Sequence, residues 1–104
     1  MSKKIYDEDI NMLVPWFLMA SYAYYKLGVN IMPDSEFDRI ARNLKKHWDN
    51  VDHMHKHLIT KEMLSTQSGY SIEYTTMIKH ATMIYIESLT ARQYKKFQTH
   101  VKQK

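Results

Sequence analysis

Glycine and proline, the residues that interrupt regular structure, occur only twice each in 104 positions. A β-sandwich or barrel needs frequent turns and would draw on many more of them. The chain is therefore expected to be helical, and its apolar spacing agrees. Ile10, Leu13, Phe17, Ala20, Tyr24 and Leu27 recur at intervals of three and four, which is the period of one helical face. A first helix is predicted from about Asp7 to Leu27. Asp7, Glu8 and Asp9 suit the positive end of its dipole. Pro15 deletes a backbone hydrogen bond, so it predicts a kink or a true start near Val14. Gly28 is placed to cap the C-terminus.

A short connection then leads to Asp34, read as the N-cap of a second helix with Glu36 in its first turn. Phe37, Ile40, Ala41, Leu44 and Trp48 form its buried face, opposite Arg39, Arg42, Asn43, Lys45 and Lys46. The connection is short enough that the two helices should lie antiparallel. Further on, Thr60 precedes Lys61-Glu62-Met63-Leu64 as a short capped turn, and residues 65–71 read as a loop. Tyr74, Met77, Ile78, Ala81, Ile84, Tyr85 and Leu89, with Met83 and Ile86 beside them, predict a central, widely buried helix from about Ile72 to Leu89. Thr90 with Gln93 matches a capping box opening a last helix, with Tyr94, Phe97 and Val101 as its stripe. The expected architecture is all-α, one domain over residues 1–104. A helical hairpin over residues 5–48 packs on two or three further helices in residues 49–104. Hydrophobic residues make up 44% of the chain, enough for one modest core.

Composition excludes several chemistries. Without cysteine there is no disulfide, thiolate metal site or thiol nucleophile. A small secreted domain would ordinarily carry disulfides, so a cytoplasmic location is expected. MSKKIYDEDI lacks the apolar region of a signal peptide. The run LVPWFLMASYAYY is too short to span a bilayer, so no membrane partner is expected. Neither Gly28 nor Gly69 belongs to a phosphate-binding loop or a Gly-x-Ser-x-Gly elbow. An enzyme is not expected. The net charge is +4. Arg92, Lys95, Lys96, Lys102 and Lys104 follow the last acidic residue, Glu87. They form either a surface for nucleic acid or an acidic protein, or a solvated helix face with a frayed tail.

The corner between the first two helices concentrates chemistry. Tyr24-Tyr25 is followed after eight residues by Asp34-Ser35-Glu36-Phe37-Asp38. Rings and carboxylates converging there suit a flat, cationic, hydroxyl-rich ligand. Stacking and cation–π attraction would hold the ring, and carboxylates its hydroxyls or amide.

From Tyr24 to Leu44 the pattern resembles the N-terminal Ia domain of NAD-dependent DNA ligases. In that family a helix ends in Tyr with a second Tyr or His. A short turn follows, then Ile-[Pro/Ser]-Asp-x-Glu-Tyr-Asp and an amphipathic helix. Met32-Pro33-Asp34-Ser35-Glu36-Phe37-Asp38 corresponds without a gap, and the resemblance covers about the first half of the chain. It implies a domain that recognises the nicotinamide mononucleotide half of NAD. By resemblance, Tyr24 and Tyr25 would contact the nicotinamide and its ribose-phosphate. Asp34 and Asp38 would bind polar edges, and Phe37 would offer a ring. Phe37 stands where the family commonly has Tyr, which keeps the surface and loses a hydroxyl. The adenylating Lys-x-Asp-Gly motif is absent from these residues. A free-standing, non-catalytic Ia-like domain is therefore expected, and its size and charge would also fit a bacteriophage accessory protein. The same residues have a structural account: Tyr24 and Phe37 as core, Asp34 as a helix cap. On that account the scaffold serves as a protein-interaction or inhibitor module.

Two other groupings are notable. On a continuous helix Asp49, His53 and His57 would share a face, a candidate zinc or nickel site lacking a clear fourth ligand and adjoining Lys56. With His55 they also make a polar, pH-sensitive segment. Eight methionines and eight tyrosines exceed what one stripe needs. Met12, Trp16, Met19, Tyr22 and Tyr70 form either an exposed patch for a protein partner or a surface covered by the later helices.

Overall fold

The computed structural model describes residues 8–66 and 72–89. The chain enters its first helix through a 3-10 turn, Ile10–Met12, whose N-cap Asp9 accepts from the Asn11 amide at 3.0 Å. Helix α1 spans Leu13–Tyr22. Pro15 is thus its third residue, where an amide has no partner one turn back and its loss costs little. A helix starts near Val14 as expected; Asp7 lies outside the described residues.

Helix α1 is the centre of the molecule. Seven of its ten residues are buried, among them Val14, Phe17 and Leu18. It packs against helix α2, Asp34–Lys46, and against helix α4, Thr76–Ser88, while α2 also packs against the short helix α3, Lys61–Thr66. The described residues form no strand, and the all-α expectation holds.

Helix α2 inserts Ile40, Ala41 and Leu44 into the core as its spacing predicts. It carries two local ion pairs, the part-buried Glu36–Arg39 at 2.9 Å and the exposed Asp38–Arg42 at 2.5 Å. Its N-cap is Pro33, not Asp34. Pro33, at φ −63° and ψ 153°, has the extended backbone a cap requires. Its carbonyl accepts from the Glu36 and Phe37 amides at 3.0 and 3.1 Å. Asp34 is consequently the first helical residue, and no side chain caps this end.

Between α2 and α3 the chain makes two 3-10 turns, Trp48–Asn50 and Lys56–Leu58. Lys56 organises them. Its ammonium donates to the Trp48 carbonyl at 2.6 Å and the Val51 carbonyl at 2.9 Å, and lies 4.7 Å from the Trp48 ring centroid. Thr60 caps α3 as expected, accepting from the Met63 amide at 3.1 Å.

Helix α4 departs from expectation. Only Ile78 and Thr82 of it are buried, while Met77 and Ile84 are 59% and 57% exposed. Its apolar residues are spread round the helix, but α1 covers one side of it. That side carries Trp16 edge-on to Tyr85 at 4.9 Å, with Tyr22 against Tyr74 at 5.3 Å just before the helix. Trp16 and Tyr22 are thereby partly covered. Met19 is buried, and Met12, Trp16 and Tyr22 are half-buried. The predicted last helix with Thr90, Gln93, Tyr94, Phe97 and Val101, and also Gly69 and Tyr70, lie outside the described residues.

Candidate functional site: the corner cavity

The end of α1 widens before it stops. Ala23–Leu27 is wound as a π-helix, with hydrogen bonds spanning one residue more than in an α-helix, a feature frequent at functional sites. Gly28 ends it at φ 72°, a left-handed conformation that glycine adopts without a Cβ penalty. The following Val29 amide donates back to the Ala23 carbonyl at 3.0 Å. The widened turn changes the phase of the side chains. Ala23 is fully buried, whereas Tyr24 and Leu27, predicted as core, are 40% and 37% exposed. The α-periodic stripe therefore fails at the point where the winding changes.

Residues 28–33 then fold inward, with Asn30, Ile31 and Met32 all buried. They hold the first turn of α2 against the end of α1. A cavity of about 450 Å³ opens at this corner, lined by Tyr24, Tyr25, Asp34, Phe37 and Asp38 together with Ala20, Asn30, Ile31, Met32 and Ser35. All five residues singled out in the sequence face one space. Tyr24 and Tyr25 meet edge to face at 4.9 Å and 88°, so two neighbouring residues present differently oriented rings. Phe37 is half-buried, its ring stacked on that of Phe17 at 5.4 Å and 13°. One aromatic face is thus committed to the core. Asp34 is exposed, while Asp38 is partly buried and paired outward with Arg42.

The sequence reading did not anticipate Asn30, Ile31, Met32 and Ser35 as lining residues. Ile31 and Met32 carried a usable signal: two large apolar residues in a six-residue connection must be buried somewhere.

The other candidates do not assemble. Asp49 sits in one 3-10 turn and His57 in another, with no helix joining them. Their assumed common face does not exist, which corrects the Asp49, His53 and His57 metal site. No group of three or more side chains able to hold a metal ion occurs among the described residues. His57 Nδ1 lies 3.0 Å from the Met54 carbonyl, and His53 Nδ1 accepts from the His55 amide at 3.1 Å. His55 is the inward member, buried with Nε2 3.3 Å from the Thr75 hydroxyl. Burial lowers the His53 pKa, and His55 lowers it further against the opposing Asp52 and Asp9. Arg92, Lys95, Lys96, Lys102 and Lys104 lie outside the described residues. No helix among the described residues is long and apolar enough to cross a membrane.

Fold and site together define a single helical domain with an open aromatic and acidic cavity at one helix–helix corner. No protein-family model, curated protein or solved structure matches the chain.

Proposed function

We propose that this protein is a non-catalytic binding domain whose corner cavity takes a nicotinamide nucleotide, in the manner of the ligase Ia domain. The observation that carries the reading is the common cavity of Tyr24, Tyr25, Asp34, Phe37 and Asp38. Ligand pockets typically run from about 300 to 1,000 Å³, so this one suits a mononucleotide. NAD would seat only its nicotinamide half. The tyrosine rings supply stacking surface, Asp34 and Asp38 accept from ribose hydroxyls or the carboxamide, and Asn30 and Ser35 add polar contacts. Such a domain would serve a ligase or another nucleotide-dependent system in the cytoplasm without chemistry of its own.

Calorimetric titration with nicotinamide mononucleotide and NAD tests this. Saturable binding on the order of micromolar, lost in Asp34→Ala, is expected. No heat at millimolar ligand would leave the corner as scaffold alone.

A second reading, a protein-interaction or inhibitor module, is favoured by exposed Met77, Met83 and Ile84 on α4. Met77 and Ile84 lie seven residues apart on one side of α4, and exposed large apolar side chains are a common mark of a partner site. Here Met77→Ser with Ile84→Ser would abolish capture of a defined protein, while Asp34→Ala would not.

A further inference from the structure

We propose that residues 53–59 form an acid-released latch, closed by a hydrogen bond that only uncharged His53 can accept and opened when His53 takes a proton.

The closing bond runs from the His55 amide to Nδ1 of His53 at 3.1 Å. A ring nitrogen accepts only while it carries no proton, so the closed segment holds His53 neutral, with its proton on Nε2. A second proton at Nδ1 sets two donors face to face, and the bond is lost. The following turn depends on the same two residues. The Lys56 amide donates to the His53 carbonyl and the Leu58 amide to the His55 carbonyl, both at 3.0 Å. His55 fastens the segment to the rest of the fold. It is 5% exposed, and its Nε2 lies 3.3 Å from the Thr75 hydroxyl that caps α4. Its buried Nδ1 finds no hydrogen-bond partner among the described residues. An unpaired buried polar atom favours any state in which water reaches it. Val51 and Ile59, buried on either side of His55 in sequence, become accessible as the segment lifts.

The charges facing His53 are those of Asp52 and Asp9, both exposed, and both favour the protonated ring. Burial and the His55 ring, 5.4 Å away, oppose it and prevail. The neighbouring basic groups are directed elsewhere: Lys56 to the Trp48 and Val51 carbonyls, and His57 to the Met54 carbonyl. From α4 the group in contact with His55 is the Thr75 hydroxyl, which does not titrate. The open segment leaves His53 in water at an ordinary histidine value of about 6.5, so protonation draws the equilibrium toward opening below that pH.

Hydrogen exchange of the full chain, corrected for the intrinsic rate, tests this. Amides of residues 55–59 should exchange about tenfold faster at pH of about 5 than at about 7.5. They should also exchange faster than the core amides of α1 throughout, as a local opening requires. His53→Asn supplies an acceptor for the amide two residues on and does not titrate, so its exchange should not respond to pH. The wild-type His53 imidazole resonance should titrate in step with the opening, which decides the matter even if the variant fails to fold. Unchanged exchange in acid, or equal acceleration in His53→Asn, would overturn the latch. So would protection equal to that of the α1 core, or a protonated His53 in a segment that stays closed.

Discussion

The rings of Phe17 and Phe37 lie 5.4 Å apart and 13° from parallel, joining the central helix to the helix that carries the candidate carboxylates. Phe17 is fully buried; Phe37 is half-buried and forms part of the cavity wall. Core stability and cavity shape thus share one contact. Phe17→Ala should destabilise by about 4 kcal/mol and Phe37→Ala by about 2, since the second ring buries less. Urea denaturation of both variants and of the double variant should give a coupling near 1 kcal/mol. Strict additivity would mean that the stack contributes nothing beyond area.

Gly28 has open space on the side where a Cβ would stand, with nothing within 4 Å, yet its φ is +72°. Any cost of Gly28→Ala must therefore come from the backbone. A loss of about 1 kcal/mol is expected, and Gly28→Asn should lose less because asparagine tolerates this conformation. Thermal denaturation that ranked Ala and Asn equally would contradict the backbone origin.

Lys56 satisfies two carbonyls of the segment between α2 and α3 and covers the Trp48 ring. Replacement with methionine keeps most of the stem and removes the donors. Hydrogen bonds from charged groups contribute about 1.5–3 kcal/mol, so Lys56→Met should destabilise by about 2 kcal/mol. Hydrogen exchange should rise over residues 48–58 before the core amides respond.

Stability should fall at both ends of the pH scale, for different reasons. The His53 pKa is lowered below 6.5 in the folded chain, so on acidification the unfolded chain binds the proton first. Stability is complete above pH of about 6.5 and declines as pH drops through the folded value. Burial raises the Tyr74 pKa well above its ordinary value, with the Ser21 hydroxyl working against it, and raises Tyr85 as well. The unfolded chain releases these protons first, so stability declines as pH rises past about 10. Melting temperatures across pH should show His53→Gln flattening the acid limb and Tyr74→Phe the alkaline one.

Much of this was legible because it depends on local rules. Gly28 caps α1 because few residues accept its φ, and Ile40, Ala41 and Leu44 are buried as their spacing requires. Asp34 was misplaced by one position because Pro33 itself supplies the extended backbone of the cap. Tyr24 was assigned to the core because the periodic reading assumes uniform winding, and no side chain announces a π turn. Helix α4 looked central from its apolar content, but content does not tell which of several apolar helices is surrounded. That role fell to α1, where Val14, Phe17 and Leu18 meet neighbours on more than one side. The histidine cluster failed because its shared face presupposed a helix across residues 49–57. There the chain turns twice, held by a lysine whose partners are backbone carbonyls and therefore invisible in the order of side chains.

A π turn holds one more residue in its hydrogen-bonded ring than an α turn does. The widened end of α1 is thus a register surplus of a single residue. Deleting one position between Ala23 and Leu27 would let the helix rewind uniformly and swing the tyrosine pair away from Asp34 and Asp38. The core of α1, α2 and α4 would be largely untouched. Deleting one residue there, such as Ala23, is expected to keep the helical fold and lose the corner cavity, which circular dichroism beside nucleotide titration of the variant would read.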